Sequence, residues 1–194
     1  MMHRTGQLFC LVRPAAIVLL VSLVAGAANS DYSSAKQKLD SIELERVRPG
    51  ARVTLSYAEL NAYAREEAPV GVRNPRLTVT SPGVATGTAL IDFGKLERNA
   101  GGQPGWLMSK LLDGERPVSV TARIRTANGR ATVEVDRVEI SGVVIDGRTL
   151  EFLIQNFLVP LYPEAVIGRP FELSHRIDHV TVAPAAVTVA IAAK

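Results

Sequence analysis

The sequence is poor in the residue types that build metal and redox sites: it has one cysteine, three histidines and one tryptophan in 194 residues. The cysteine is Cys10, so the chain that follows it cannot form a disulfide and must depend on its apolar core. His175 and His179 share one face of a predicted strand, because an even number of positions separates them. A zinc site needs three or four ligands, and we expect an ordinary exposed histidine pair, with no metal and no cofactor.

Catalytic motifs are also scarce. Ser174-His175 lacks the glycines that frame a hydrolase nucleophile. The glycine-rich segment 101–105 lacks the lysine and the Ser/Thr of a phosphate-binding loop. Four carboxylates that could act in pairs lie in polar alternation or near turns, where solvated side chains are the rule: Asp92, Glu97, Asp136 and Glu139. We therefore predict that the protein is not an enzyme.

No apolar run is long enough to span a bilayer as a helix. The longest, Ala15 to Val24, has ten residues, against the roughly 20 that a spanning helix needs. Arginines precede it, and Ala25-Gly26-Ala27 follows with the small-x-small pattern of a secretory signal. We predict a signal peptide over residues 1–27, cleaved after Ala27, and a periplasmic or extracellular protein. An uncleaved anchor that begins near Leu8 is the alternative, and the lack of a following cysteine argues against a lipoprotein signal.

Charge excess is small once this signal is set aside. Of the 22 basic residues, Arg4 and Arg13 belong to the signal, which leaves 20 against 19 acidic residues and a net charge of +1. A nucleic-acid partner would need a larger excess, so none is expected. The remaining 167 residues suit one domain. We divide them into a lead-in over residues 28–53, whose first part is polar, loose and partly helical, and a single domain over residues 54–194.

Hairpins and helices make up that domain. Ser56 and Glu59 form a capping box, which predicts a helix over 57–67. Three pairs of alternating segments predict hairpins: 72–80 with 84–93, 117–126 with 130–140, and 177–183 with 187–192. Pro75 places the first strand at an edge or a bulge, and Gly87 indicates a bend in a curved sheet. A short helix is predicted over 106–112.

An unusually apolar stretch runs from Gly147 to Leu173. Its first part has a helical stripe that begins at Leu150, while Phe152 and Val159 interrupt the polar face. Pro160 and Pro163 are expected to stop the helix. We predict an α+β fold in which one strongly curved antiparallel sheet of about six strands, built from the three hairpins, wraps around this long apolar helix.

Apolar side chains exceed what one sheet face requires. A larger core or a dimer contact would account for them, and so would a groove between helix and sheet that accepts an acyl chain. The residues predicted to line the groove are Trp106, Leu107, Leu111, Phe152, Phe157, Leu158, Leu161 and Tyr162. On the first interpretation the chain is a structural or protein-interaction module of the cell envelope; on the second it binds a lipid without catalysis. An enzyme acting on an envelope glycan or lipid is a third, weaker alternative.

Three segments carry a resemblance to a known family: Leu55-Ser56-Tyr57-Ala58-Glu59-Leu60-Asn61-Ala62, the hairpin from Arg76 to Gly87, and the closing hairpin that begins at Ile177. In their spacing they resemble the small exported members of the tubular lipid-binding superfamily (TULIP-like), such as the LmeA-like proteins and YceB-like lipoproteins of bacterial envelopes. The resemblance covers most of residues 54–192. It implies a sheet wrapped around a helix, an apolar channel for lipid and an envelope role in lipid binding or transfer. We add peripheral contact with a membrane to the expected interactions. This chain lacks the lipidated cysteine of the lipoprotein members.

Overall fold

The computed structural model describes residues 15–96, 106–161 and 167–193. Its helices are α1 (Ala15–Glu43), α2 (Tyr57–Glu66), α3 (Trp106–Leu111), α4 (Gly147–Leu153), a π-helical turn (Ile154–Leu158) and α5 (Val159–Leu161). Its strands are β1 (Arg52–Ser56), β2 (Val72–Ser81), β3 (Val84–Asp92), β4 (Glu115–Ala127), β5 (Arg130–Ile140), β6 (Val143–Ile145), β7 (Phe171–Glu172), β8 (Ile177–Ala183) and β9 (Ala186–Ile191). The fold is α+β, and the strands pair antiparallel.

The smaller of two sheets has three strands in the order β1-β9-β8. Helices α1 and α2 cover it, and the apolar residues between them are almost fully enclosed: Ala35, Ile42, Leu55, Val189 and Ile191. Residues 29–43 of the lead-in, which is predicted to be partly helical, form a regular helix with two buried residues, because its few apolar side chains recur at helical spacing. One prediction is corrected here. The closing hairpin pairs with β1 instead of extending the large sheet.

The larger sheet has six strands, in the order β2-β3-β4-β5-β6, with β7 added beside β5. It contains the first two predicted hairpins, which are confirmed. The prediction for Pro75 is also confirmed, since β2 is an edge strand whose register shifts between Arg73 and Arg76. Gly87 instead pairs in regular register with Leu77 and Val120. Among the described residues, none of the helices has the length and apolar character needed to cross a bilayer.

β-Bulges keep the apolar residues of long strands on one face. In strict alternation Val133 and Val135 would lie on one side of β5 and Val138 and Ile140 on the other. The register between β4 and β5 shifts so that Thr121 faces Arg137 and Ala122 faces Val135. Asp136 therefore has no residue opposite it on β4. This extra residue returns the second apolar pair to the inner face. β2 has a comparable irregularity at Asn74, whose φ is +50°.

Strand β8 joins the two sheets. The Thr126 hydroxyl accepts a hydrogen bond from the Val180 amide and donates one to its carbonyl, both at 2.8 Å. The amides of Gly83 and Gly129, at the two hairpin turns, donate to the carbonyls of Val182 and Asp178. Backbone groups at the free edge of β8 therefore have hydrogen-bond partners at the turn end of the larger sheet.

The segment from Gly147 is not one long regular helix. After α4 the hydrogen-bond pattern widens, and the Val159 amide donates to the carbonyl of Ile154. Pro160 follows directly and has no amide to continue the pattern. Residues 162–166, including Pro163, lie outside the described part of the chain, and Phe171–Glu172 is a strand. The predicted long helix is therefore corrected to a short helical segment over 147–161.

Candidate functional site: an apolar cavity between sheet and helix

A cavity of about 520 Å³ separates the inner face of the larger sheet from the helical segment 147–161. Its described lining is almost entirely apolar: Tyr63, Ala64, Glu67, Ala68, Pro69, Val72, Pro75, Ile91, Phe93, Leu96, Val118, Val120, Val135, Val138, Ile140, Leu150, Leu153, Ile154, Phe157 and Leu158. Within this set Glu67 is the only charged residue. The volume lies in the range of about 300–1,000 Å³ that is usual for small-molecule sites.

The sheet supplies one wall through its central strands. Val118 and Val120 of β4 lie beside Val135 of β5 on the inner face, where the bulge at Asp136 keeps them together with Val138. The first three valines are only half-buried, although they belong to interior strands of the sheet. Such side chains normally pack against an opposing layer at near-crystalline density. Here the helical segment stands off from the sheet, and the space between is open.

Aromatic contacts anchor the opposite wall. The ring of Phe157 packs edge-on against Phe93, with centroids 5.2 Å apart, and against Phe152, with centroids 6.4 Å apart. Phe93 and Phe157 are both buried. Edge-to-face pairs of this kind contribute about 0.5–1.5 kcal/mol beyond burial of their area. The contact with Phe93, which follows β3, therefore attaches the π-helical turn to the larger sheet.

The C-terminal end of α2 forms the polar end of the cavity. Tyr63 and Glu67 line it, and the Tyr32 hydroxyl of α1 donates to the Glu67 carboxylate at 2.6 Å. The hydrogen bond to Glu67, with smaller contributions from burial and from nearby carboxylates, raises the pKa of Tyr32 to about 12. The Tyr32 hydroxyl therefore stays a protonated donor at neutral pH.

The predicted lining residues fall into three groups. Phe157 and Leu158 line the cavity. Leu111 and Phe152 pack, half-buried, against the apolar cluster around it. The side chains of Trp106, Leu107 and Leu161, and the whole of Tyr162, lie outside the described part of the chain. Sequence reasoning missed the sheet wall and the polar end, although the alternation in β4 already showed that Val118 and Val120 share a face.

The predicted histidine pair is not on one strand face. His175 lies in the turn before β8 with φ +55°, and a register shift follows between Ile177 and His179. The His179 ring lies 2.7 Å from the carboxylate of its neighbour Asp178. Among the described residues, no three His, Cys, Asp or Glu side chains are grouped closely enough to hold a metal ion.

Two other depressions in the described surface are more polar or smaller. One of about 500 Å³ is lined by the outer face of α1, including Lys36, Gln37 and Asp40. Another, of about 310 Å³, lies on the outer face of the sheet beside Ser119 and Glu139. Neither joins an apolar wall to a polar end, so the cavity between sheet and helix is the best-formed candidate for a ligand site.

Comparison of this chain with protein-family models, with curated proteins and with solved structures found no match. The likeness to the tubular lipid-binding family therefore stays a prediction from the residues quoted above.

Proposed function

We propose that the protein binds a lipid or another amphiphile in the cavity between the larger sheet and the helical segment 147–161, without catalysis. The observation that carries the proposal is a cavity of about 520 Å³ whose described lining has a single charged residue. An apolar chain in this space would replace water at walls that gain about 25 cal/mol for each Å² of surface removed from it.

Finer features belong to the same proposal. The sheet would curve around the helical segment strongly enough to enclose an acyl chain, as the resemblance implies. Cleavage after Ala27 would leave a periplasmic or extracellular protein that meets its ligand at the cell envelope. Support for the enclosure comes from the position of the half-buried valines of β4 and β5 opposite Leu150, Ile154 and Leu158.

Native mass spectrometry of the purified protein tests the proposal, together with uptake of a fluorescent fatty-acid probe. We expect a bound amphiphile, or saturable uptake of one probe per chain. Val120→Phe places a ring in the cavity and should abolish uptake. Val144→Phe is the matched control, because Val144 lies on the edge strand β6 and is 49% exposed. Absence of any bound amphiphile and of probe uptake in a folded protein would overturn the proposal.

A second candidate function is a protein-interaction module of the envelope. It is favoured by β6, an edge strand whose Val143 and Val144 are 53% and 49% exposed. An exposed apolar edge can accept a strand from another chain or from a second copy. A concentration-dependent dimer that dissociates on Val143→Asp, in a protein that binds no probe, would favour this function over the first.

A further inference from the structure

We propose that the polar end of the cavity recognises a cationic head group, an ammonium or a quaternary ammonium, and disfavours carboxylate and phosphate heads. This inference rests on the proposed function, because it names the class of amphiphile that the cavity would accept. It is carried by the side chains of Tyr32, Tyr63 and Glu67, which come together where the apolar walls end.

Aromatic rings and one carboxylate make up this end. The rings of Tyr32 and Tyr63 are stacked, with centroids 6.2 Å apart and planes inclined by 26°. Tyr63 and Glu67 face the cavity, and Tyr32 is tied to Glu67 by its hydroxyl. Aromatic faces beside a carboxylate are the usual components of sites for organic cations, since the ring quadrupole and the full charge both attract a cation.

The dipole of helix α2 also favours a cation at the polar end of the cavity. Helix α2 runs from Tyr57 to Glu66, and its last turn lies at this end of the cavity. The C-terminus of a helix has a partial negative charge from its unpaired carbonyls, which favours a cation nearby. Arg65 belongs to this turn but is exposed and does not line the cavity.

Charged side chains that act on the two tyrosines are mostly acidic. Glu66 and Glu67 act on Tyr32, while Glu67, Asp40, Glu43 and the cation Lys36 act on Tyr63. The Lys36 ammonium lies 3.6 Å from the Asp40 carboxylate, so these two charges partly compensate each other. Among the charged side chains that act on the tyrosine pair, carboxylates therefore outnumber cations.

An anionic head group would find no cation among the described residues that line the cavity. The Tyr32 hydroxyl already donates to Glu67, and the described lining has no lysine or arginine. A carboxylate or phosphate would approach Glu67 as a like charge, which is unfavourable. A neutral head such as a sugar would meet neither attraction nor repulsion, and should bind with intermediate affinity.

Three surfactants with the same twelve-carbon chain test the inference: dodecyltrimethylammonium, dodecyl maltoside and dodecyl sulfate, each below its critical micelle concentration. Displacement of the fluorescent probe from the protein purified after expression of the full chain gives their relative affinities. We expect the trimethylammonium compound to bind roughly three- to tenfold more tightly than the sulfate, with the maltoside between them.

Variants of the polar end show which residues cause the preference for the cationic head group. Glu67→Gln should remove most of the preference while binding of the maltoside persists, and Tyr63→Leu should reduce it while the wall stays apolar. Glu151→Gln is the matched control, because Glu151 is an exposed carboxylate of the helical segment 147–161 that does not line the cavity and does not act on the two tyrosines. The head-group preference of this variant should stay near that of the parent protein. Equal binding of the three heads, tightest binding of the sulfate, or a preference that survives Glu67→Gln would overturn the inference and leave the proposed function standing. Failure of all three to bind would overturn both.

Discussion

The two apolar clusters of this molecule differ in how completely they are filled. Around the three-stranded sheet, Leu55 is 1% exposed and Ala35 is fully enclosed. Around the six-stranded sheet Ile140 is also fully buried, but Val118, Val120 and Val135 are only half-buried, and a cavity of about 520 Å³ lies in front of them. Both regions are built from alternating strands under helices. The alternation of apolar residues therefore determines which face of a sheet points inward. Whether that face is closely packed depends on the helices that cover it.

The covering layers differ in length and attachment. Helices α1 and α2 lie over the smaller sheet, and several polar side chains connect them to it. Lys38 donates to the Thr54 carbonyl at 2.9 Å and to the Glu59 carboxylate at 2.6 Å. The larger sheet is covered by the short helical segment 147–161, which Phe157 anchors at one end. We interpret the smaller sheet as the scaffold and the larger one as the binding region.

Truncation of one buried side chain in each cluster should give the largest contrast. Leu55→Ala removes an enclosed side chain and should lower the free energy of unfolding by roughly 3 kcal/mol. Val120→Ala removes atoms that already border open space and should cost about 1 kcal/mol or less. Urea unfolding of the two variants measures the difference. Equal losses would show that the two regions are packed alike.

Acid should weaken the attachment of α1 to α2 in the scaffold. Burial alone would raise the pKa of Glu59, but hydrogen bonds from Lys38, Ser34 and the Ser56 amide prevail and lower it to about 2, from an ordinary value of 4.5. Because the pKa is lower in the folded state, this contribution is complete above about pH 4.5 and is lost as the pH falls toward 2. Its size is on the order of 2–3 kcal/mol.

Glu59→Gln is the variant that isolates this effect. It should lower stability at neutral pH and flatten the dependence of the unfolding free energy between about pH 4.5 and pH 2. Glu134→Gln, on the exposed face of β5, serves as the control and should leave the slope in place. An unchanged slope in Glu59→Gln would show that this carboxylate does not hold α1 against α2.

A smaller effect is expected where the two regions meet at the edge of β2. The Asn61 side chain accepts from the Leu77 amide at 2.6 Å and donates to the Leu77 carbonyl at 3.1 Å. Asn61→Ala should cost about 1–2 kcal/mol, because both backbone groups lose their partner. Asn61→Asp keeps the acceptor and loses the donor, so the stability of this variant should fall between that of the parent protein and that of Asn61→Ala. Denaturant unfolding that ranks Asn61→Asp below Asn61→Ala would contradict this assignment.

The outer face of the larger sheet should contribute least. Arg125 is paired with Glu134 across β4 and β5, and both side chains are well exposed. Solvent screening limits such pairs, so Arg125→Ala should change the unfolding free energy by less than about 0.5 kcal/mol. Thermal unfolding with and without high salt checks this. A large, salt-sensitive loss would mean that the outer face, and not the scaffold, stabilises the sheet.

Local patterns were sufficient to predict the hairpins and the capped helix. The capping box at Ser56 is present, with the Glu59 amide donating to the serine hydroxyl. The alternation that begins at Val118 and the turn at Asn128 also specify their hairpin, since both signals lie within a few residues of each other. Such short-range features do not depend on the rest of the fold.

Longer-range features could not be read from the sequence. The bulge at Asp136 is set by the pairing of β5 with β4, so a strict period of two assigns Val138 to the wrong face. The pairing of β1 with β9 joins residues far apart in the chain. The cavity also depends on such features, because its walls come from four strands, β2 to β5, and a helical segment, and Glu67 reaches it only through the position of α2.

The central claim is that the space in front of β4 is open, and the sign of the stability change in Val120→Phe tests it most directly. If the space before β4 is open, the added ring fills it, and thermal unfolding of the ligand-free protein should shift to higher temperature or stay unchanged. Addition of dodecyl maltoside should then raise the unfolding temperature of the parent protein and not that of the variant. A packed interior would instead be overfilled, at a cost of about 1–3 kcal/mol. A clearly lower unfolding temperature in the variant, with no effect of the amphiphile on the parent, would contradict the account.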